Sequence, residues 1–185
     1  MEKSCCGTGK IEGDDTLERK YLLVGIGIVI VIMAIVGGSY AYQNYKTSQI
    51  QTLLNQSYQY TLTAATLANK TVDMALNKNY SGAISLAQQT QNEVNKSIDL
   101  DNQALQYADG AYKDYIVYDL MKLEKNYAME DANIALYKSE QLNDVNAEYY
   151  ANIDIARAEN DAYDYKNKRN EIVTANPSLF TFLNL

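Results

Sequence analysis

The chain has 185 residues, a net charge of −7, 47% hydrophobic side chains and no histidine. Such an acidic chain repels phosphate backbones, which excludes nucleic acid as an expected partner. Without histidine it also lacks the usual neutral-pH base and the commonest transition-metal ligand.

Residues 1–20 form a polar, Gly-containing tail with the composition of a disordered segment. They carry four Lys/Arg (Lys3, Lys10, Arg19, Lys20) and both cysteines, Cys5 and Cys6. No thiol nucleophile or disulfide is therefore available to the rest of the chain.

Residues 21–42, YLLVGIGIVIVIMAIVGGSYAY, contain no charged side chain. At ~1.5 Å of rise per residue a helix over this stretch covers the ~30 Å of a bilayer's hydrocarbon core. It also satisfies its own backbone hydrogen bonds there. We expect one membrane-spanning helix, retained as a signal anchor and flanked by Tyr21, Tyr40, Tyr42 and Tyr45 as an interfacial belt. Ser39-Tyr40-Ala41 offers a cleavage site as the alternative. Ala34 with Gly38, and Gly37 with Ala41, are small pairs four apart that let two helices approach within the membrane. Four basic residues before the span against Lys46 just after it place the N-terminus in the cytoplasm and residues 43–185 on the extracytoplasmic side. Gly13 followed by Asp14-Asp15-Thr16-Leu17-Glu18 resembles the type IV pilin processing pattern, which implies a filament subunit. The charges at Asp14, Asp15, Arg19 and Lys20 interrupt the apolar run that pilins carry there.

Beyond the span the composition shifts to Ala, Gln, Asn, Tyr and Leu, and the chain's single proline is Pro177. Apolar residues recur at helical spacing in three stripes, and strand alternation is absent. The first is Ile50, Leu54, Tyr58, Ala65, Ala68, Val72 and Leu76. The second runs from Ile84 through Val94, Leu105, Tyr112, Ile116 and Leu123 to Tyr127. The third is Leu142, Val145, Tyr149, Ile153 and Ala156, ending near Tyr163. Turn chemistry at Asn77–Gly82, Asp109-Gly110 and Gln141–Asn146 divides the region into helices near 43–78, 83–108, 111–140 and 143–174. The fold class is thus all-α: an N-terminal transmembrane helix continuing into an extracytoplasmic antiparallel bundle over 43–175, with four helices. If Asp109-Gly110 is not a break, a long coiled-coil hairpin results. Ala75–Ile84 is similar to the turn of a tetratricopeptide hairpin, but no repeat follows it.

Four antiparallel helices return the C-terminus to the end where the domain begins. There Lys166, Lys168 and Arg169 precede the tail 176–185 with Leu179, Phe180, Phe182 and Leu183. A basic cluster before an apolar tail suits lipid headgroups or a partner subunit; the other use of those four side chains is to cap the open end of the core. Asn55, Asn69, Asn79 and Asn95 stand in Asn-x-Ser/Thr and are glycosylation acceptors in a host that modifies them. The carboxylates Asp99 and Asp101, Glu130 and Asp131, and the run Asp154, Glu159, Asp161 and Asp164 read as a solvated face, with Asp164 paired to Lys168 four residues on. Tyr107, Tyr112, Tyr115 and Tyr118 form one aromatic cluster, and Tyr149, Tyr150, Tyr163 and Tyr165 another. Both suit a core edge, and the alternative for several on one face is a protein–protein surface.

No catalytic, cofactor-binding or metal-ligating residue is predicted, and the chain does not read as an enzyme. The expectation is a single-pass membrane protein whose bundle is an interaction or structural module, an accessory subunit of a membrane or cell-envelope assembly. Its partners are membrane lipid and either another protein or further copies of itself. The alternatives are a ligand-sensing extracytoplasmic bundle acting through a partner, and a pilin-like filament subunit.

Overall fold

The computed structural model describes residues 15–183, with side chains described at residue 35 and from residue 37 onward. Its elements, in chain order, are α1 (Asp15–Leu76), α2 (Tyr80–Leu105), α3 (Gly110–Leu142), α4 (Val145–Ala175) and a short 3-10 turn at Pro177–Leu179. The chain divides into two compact units, Met1–Tyr45 and Lys46–Leu185. In the first, the predicted span 21–42 falls mostly on residues whose side chains lie outside the description, Ala34 among them. Gly37 and Gly38 are exposed and have open space around them, and Ala41 is exposed. Among the described residues, no helix is long and apolar enough to cross a membrane.

The second unit is a helical bundle, and its breaks fall where the turn residues stand. Between α1 and α2, Lys78 takes the left-handed backbone (φ 59°). Asn79 then caps α2, its side-chain oxygen accepting from the Gly82 amide at 3.1 Å. This cap starts α2 at Tyr80, three residues before the expected start, because Asn79 rather than Ser81 supplies the acceptor. Gly110 adopts φ +51° at the next turn, where a side chain would be strained, so Asp109-Gly110 is a true break and the hairpin alternative does not form. Asn143 is left-handed (φ 53°) at the end of α3. Asp144 caps α4 through the amides of Asn146 and Ala147, both at 3.1 Å.

Burial along the helices follows a 4-3 heptad spacing. In α2 the positions Ala83, Ala87, Thr90, Val94, Ser97, Asp101 and Ala104 are all buried. In α1 the sequence Ile50, Leu54, Ser57, Ala64 and Thr71 lies on one such seam. Ala, Ser and Thr dominate it, so the two backbones approach closely, and hydroxyls close the gap. Ser57 and Ser97 hydrogen-bond at 2.7 Å, and Thr61 joins Ser97 at 3.0 Å. Helix α3 contacts α2 on one side and α4 on the other. Its first seam holds Tyr112, Ile116, Asp119, Leu123, Glu130 and Tyr137, and its second Tyr115, Lys122, Ala132 and Ser139. Fully burying Ile116 and Leu123, both 0% exposed, contributes about 1.5–3 kcal/mol each.

The third predicted stripe is overturned. Leu142, Val145, Tyr149 and Tyr163 are 78, 73, 64 and 62% exposed, and Ile153 is exposed too. What α4 buries is Ala151, Ala158, Ala162 and Arg169. The large side chains mark one face, but the face that reaches α3 is the one small enough for close packing. The first stripe is likewise split: Ile50 and Leu54 are core, whereas Val72 and Leu76 are exposed.

At the end of the unit where residue 46 enters, Phe180 and Leu183 pack with Ile50, Leu54, Ala104, Tyr112, Tyr115 and Ile116. The Phe180 ring lies 5.2 Å from that of Tyr112 and 4.9 Å from that of Tyr115. The Tyr112 hydroxyl donates to the Leu179 carbonyl at 2.7 Å. Of the three uses foreseen for the tail, namely lipid contact, a partner subunit and a cap on the core, Phe180 and Leu183 are placed for the cap.

Candidate functional site

Three features stand out: a buried ionic layer, a lateral cavity and two uncovered helix faces.

Helices α2, α3 and α4 supply the charged groups of the ionic layer. Asp119 of α3 accepts from Lys122 Nζ at 2.5 Å and from Arg169 Nη1 of α4 at 2.7 Å. Arg169 also lies over the Tyr115 ring, 5.7 Å from its centre. Asp101 of α2 is 0% exposed, and neither carboxyl oxygen has a well-formed hydrogen bond, the nearby Ser57 hydroxyl of α1 offsetting only part of the cost of burial. Burial, reinforced by the negative charge of Asp119, pushes Asp101 well above the usual carboxylate range. Burial works against ionisation of Asp119 as well, but the Lys122 ammonium and the Arg169 guanidinium outweigh it and hold that carboxyl low. The layer therefore sets one acid, held toward its neutral form, beside a closed anion–cation cluster. Sealed from solvent, Asp101 meets no substrate. What such a layer does well is fix which helix faces which, since any slip strands a charge in the interior.

These facts correct the solvated-face reading for two carboxylates, Asp101 and Glu130, which are 0% and 2% exposed. Asp99 and Asp131 do remain on the outside, Asp131 accepting from Gln91 at 2.5 Å. The predicted Asp164–Lys168 pair does not form. Lys168 instead lies over the rings of Tyr118 and Tyr165, at 5.8 and 5.5 Å, while Asp161 pairs with Lys125 at 2.8 Å and Asp154 with Arg157 at 3.1 Å.

A cavity of about 260 Å³ opens between α1, α2 and α3. Its walls are Ala64, Ala65 and Ala68 on one side and Val94, Leu123 and Met129 on the other, with Thr61, Thr90, Asn69, Asn126 and Glu130 as polar groups. It exists because α1 places alanines at its seam opposite Leu123, leaving volume that larger side chains would fill. Burial raises the Glu130 carboxyl above its ordinary value, and the Asn133 amide opposes this by donating to Oε2 at 3.3 Å. Nothing among the described residues donates to its Oε1, and no cation pairs with it.

The uncovered faces lie on α1 and α4. On α1, Leu62, Val72 and Leu76 are 44, 51 and 77% exposed. On α4 the exposed set is Val145, Tyr149, Tyr150, Ile153 and Tyr163. The two aromatic clusters thus differ: Tyr112 and Tyr115 are core, whereas Tyr149 and Tyr150 pack only edge to face at 5.5 Å on the surface.

The remaining predicted residues are placed as follows. Lys166 and Lys168 are exposed, Leu179 and Phe182 are half-buried, and Arg169 is committed to Asp119. Asn55, Asn69, Asn79 and Asn95 are all exposed. In three of those sequons the hydroxyl residue, Ser57, Thr71 or Ser97, is buried in the heptad seams. Packing therefore explains those hydroxyls, and an Asn two residues earlier lands on the outer face. Among the described residues no group of His, Cys, Asp and Glu is arranged to hold a metal ion.

Sequence reasoning missed the ionic layer and the cavity. The seam positions of Asp101, Asp119 and Glu130 were the available signal, since acidic residues at heptad spacing with apolar neighbours stand at core positions. No protein-family model, no curated protein and no solved structure matches the chain.

Proposed function

We propose that the chain is a single-pass, membrane-anchored helical interaction module, an accessory subunit of a membrane or cell-envelope assembly. The observation that carries this reading is the pair of uncovered apolar faces: Leu62, Val72 and Leu76 on α1, and Val145, Tyr149, Tyr150, Ile153 and Tyr163 on α4. Aromatic and aliphatic side chains of this kind are what a partner helix buries at the centre of an interface. The uncharged stretch 21–42 supports the anchor, and the excess of Lys/Arg before it supports an extracytoplasmic bundle. A polar layer that pins the bundle's own register leaves these faces as rigid platforms.

The test is purification of the chain from its native membrane in mild detergent, wild type beside a Tyr149→Ser/Ile153→Asp double variant. The wild type is expected to co-migrate with a stoichiometric partner or with further copies, and the variant to lose it while keeping its helical content. A wild-type monomer, or a chain released by alkaline carbonate washing, would refute the reading.

A sensing bundle that acts through a partner is the second reading, and the α1–α2–α3 cavity is the observation in its favour.

A further inference from the structure

From the lateral cavity we infer a binding site for a small organic cation, a primary ammonium on a short apolar body, with Glu130 as its counter-charge. The inference deepens the sensing reading by naming the ligand class, and it stands whether or not the α1 and α4 faces bind a partner.

Three observations combine. The first is shape: the volume is about 260 Å³, on the order of eight water volumes. That is enough for a short alkyl or aralkyl chain and too little for a nucleotide or sugar chain. The second is the wall. Ala64, Val94 and Leu123 are 5, 3 and 0% exposed and form an apolar floor that gains nothing from holding water.

The third is the carboxyl. Glu130 is 2% exposed, meets only the Asn133 amide at 3.3 Å, and has no cationic partner among the described residues. The chain does pair its other interior anion: Asp119 takes both Lys122 and Arg169. A buried acid facing an open cavity without a counter-ion is stabilised by whatever brings one. An ammonium has three donors and no acceptor, which suits a site whose polar lining beside Glu130 includes the amide oxygens of Asn126 and Asn69. An anionic ligand is opposed by Glu130. A neutral one leaves the carboxyl uncompensated.

Ionised Glu130 is the binding form, so affinity rises with pH through its raised titration and levels off above it. Tyr137 of α3 is the titratable group that feels the Glu130 charge, and no charged side chain of α1, α2 or α3 shifts Glu130 itself; Asp131 is turned to Gln91 and Lys125 pairs with Asp161. None of them neutralises Glu130.

The experiment uses the full chain in detergent micelles, labelled at its methionine methyl groups. Met129 lines the cavity, and Met74 and Met121 lie outside its lining, so they report non-specific partitioning. Pentylamine hydrochloride and 1-pentanol are titrated in parallel at pH 7.5. The expected result is a saturable shift of Met129 alone, with pentylamine binding at least tenfold tighter than pentanol. Glu130→Gln is expected to bring the two probes within twofold of each other. Ala68→Phe, a substitution at the half-exposed wall, fills the cavity, is expected to abolish both shifts, and serves if the Glu130 variant does not fold. Equal binding of amine and alcohol to the wild type overturns the inference. So does an amine response that Ala68→Phe leaves intact, or no saturable response at Met129.

Discussion

Asp119 joins two cations inside the bundle, and everything about the polar layer depends on its charge. Lys122, Asp119 and Arg169 expose 9, 9 and 11% of their side chains. Asp119→Asn would leave two buried cations without an anion, and we expect a loss of about 3–5 kcal/mol, read as a lowered midpoint in thermal or urea unfolding. Its neighbour Asp101 predicts the opposite sign. Its folded-state titration lies well above the unfolded value. The stability linked to it is therefore fully present below the unfolded carboxyl's titration near pH 3.9, and is lost as pH rises toward the raised native value. Asp101→Asn removes that loss. The variant should match wild type near pH 4, exceed it by about 1–3 kcal/mol at pH 7, and show a flatter stability–pH curve in between. A variant less stable than wild type at pH 7 would show that Asp101 is ionised and paired in the native state.

Among the helices, α4 separates what sequence pattern can tell from what it cannot. The four helices and their three breaks are legible because Asn79, Gly110, Asn143 and Asp144 act locally, through caps and left-handed backbone that need no tertiary partner. The buried face of α4 is not legible in the same way. Hydrophobicity points to Val145, Tyr149 and Ile153, but the 4-3 seam of Ala151, Ala158 and Ala162 fits more closely against α3, and proximity decides. The same rule hid Asp101 and Glu130, since a carboxylate reads as surface until its register is compared with Ala87, Val94 and Leu123 around it. Ala87 is 0% exposed on the α2 seam. Ala87→Leu should therefore destabilise by about 1–3 kcal/mol through overpacking, whereas Tyr149→Ser should stay within about 0.5 kcal/mol. Chemical denaturation of both variants checks the pair. A Tyr149 variant that costs as much as the alanine variant would mean that α4 buries its aromatic face.

For the Lys46–Leu185 unit as a whole, the tail decides how one end is closed. Phe180 and Leu183 are 3 and 7% exposed and touch side chains from α1, α2 and α3. The end they cover carries the densest apolar cluster, while the middle of the α1–α2 seam is held by Ala, Ser and Thr contacts that do not involve them. Long helices packed side by side open in contiguous segments rather than all at once, so removing the tail should loosen one end selectively. Deleting residues 177–185 uncovers Ile50, Leu54, Tyr112 and Tyr115. We expect a loss of about 3–5 kcal/mol, the scale of deleting one core aromatic. Hydrogen exchange of the truncated chain should then show lost protection around residues 50–58, 104–118 and 168–175, with residues 83–97 still protected. Uniform loss across all four helices would mean that the unit is a single cooperative block, and unchanged protection at 50–58 would mean that the tail covers nothing that water can otherwise reach.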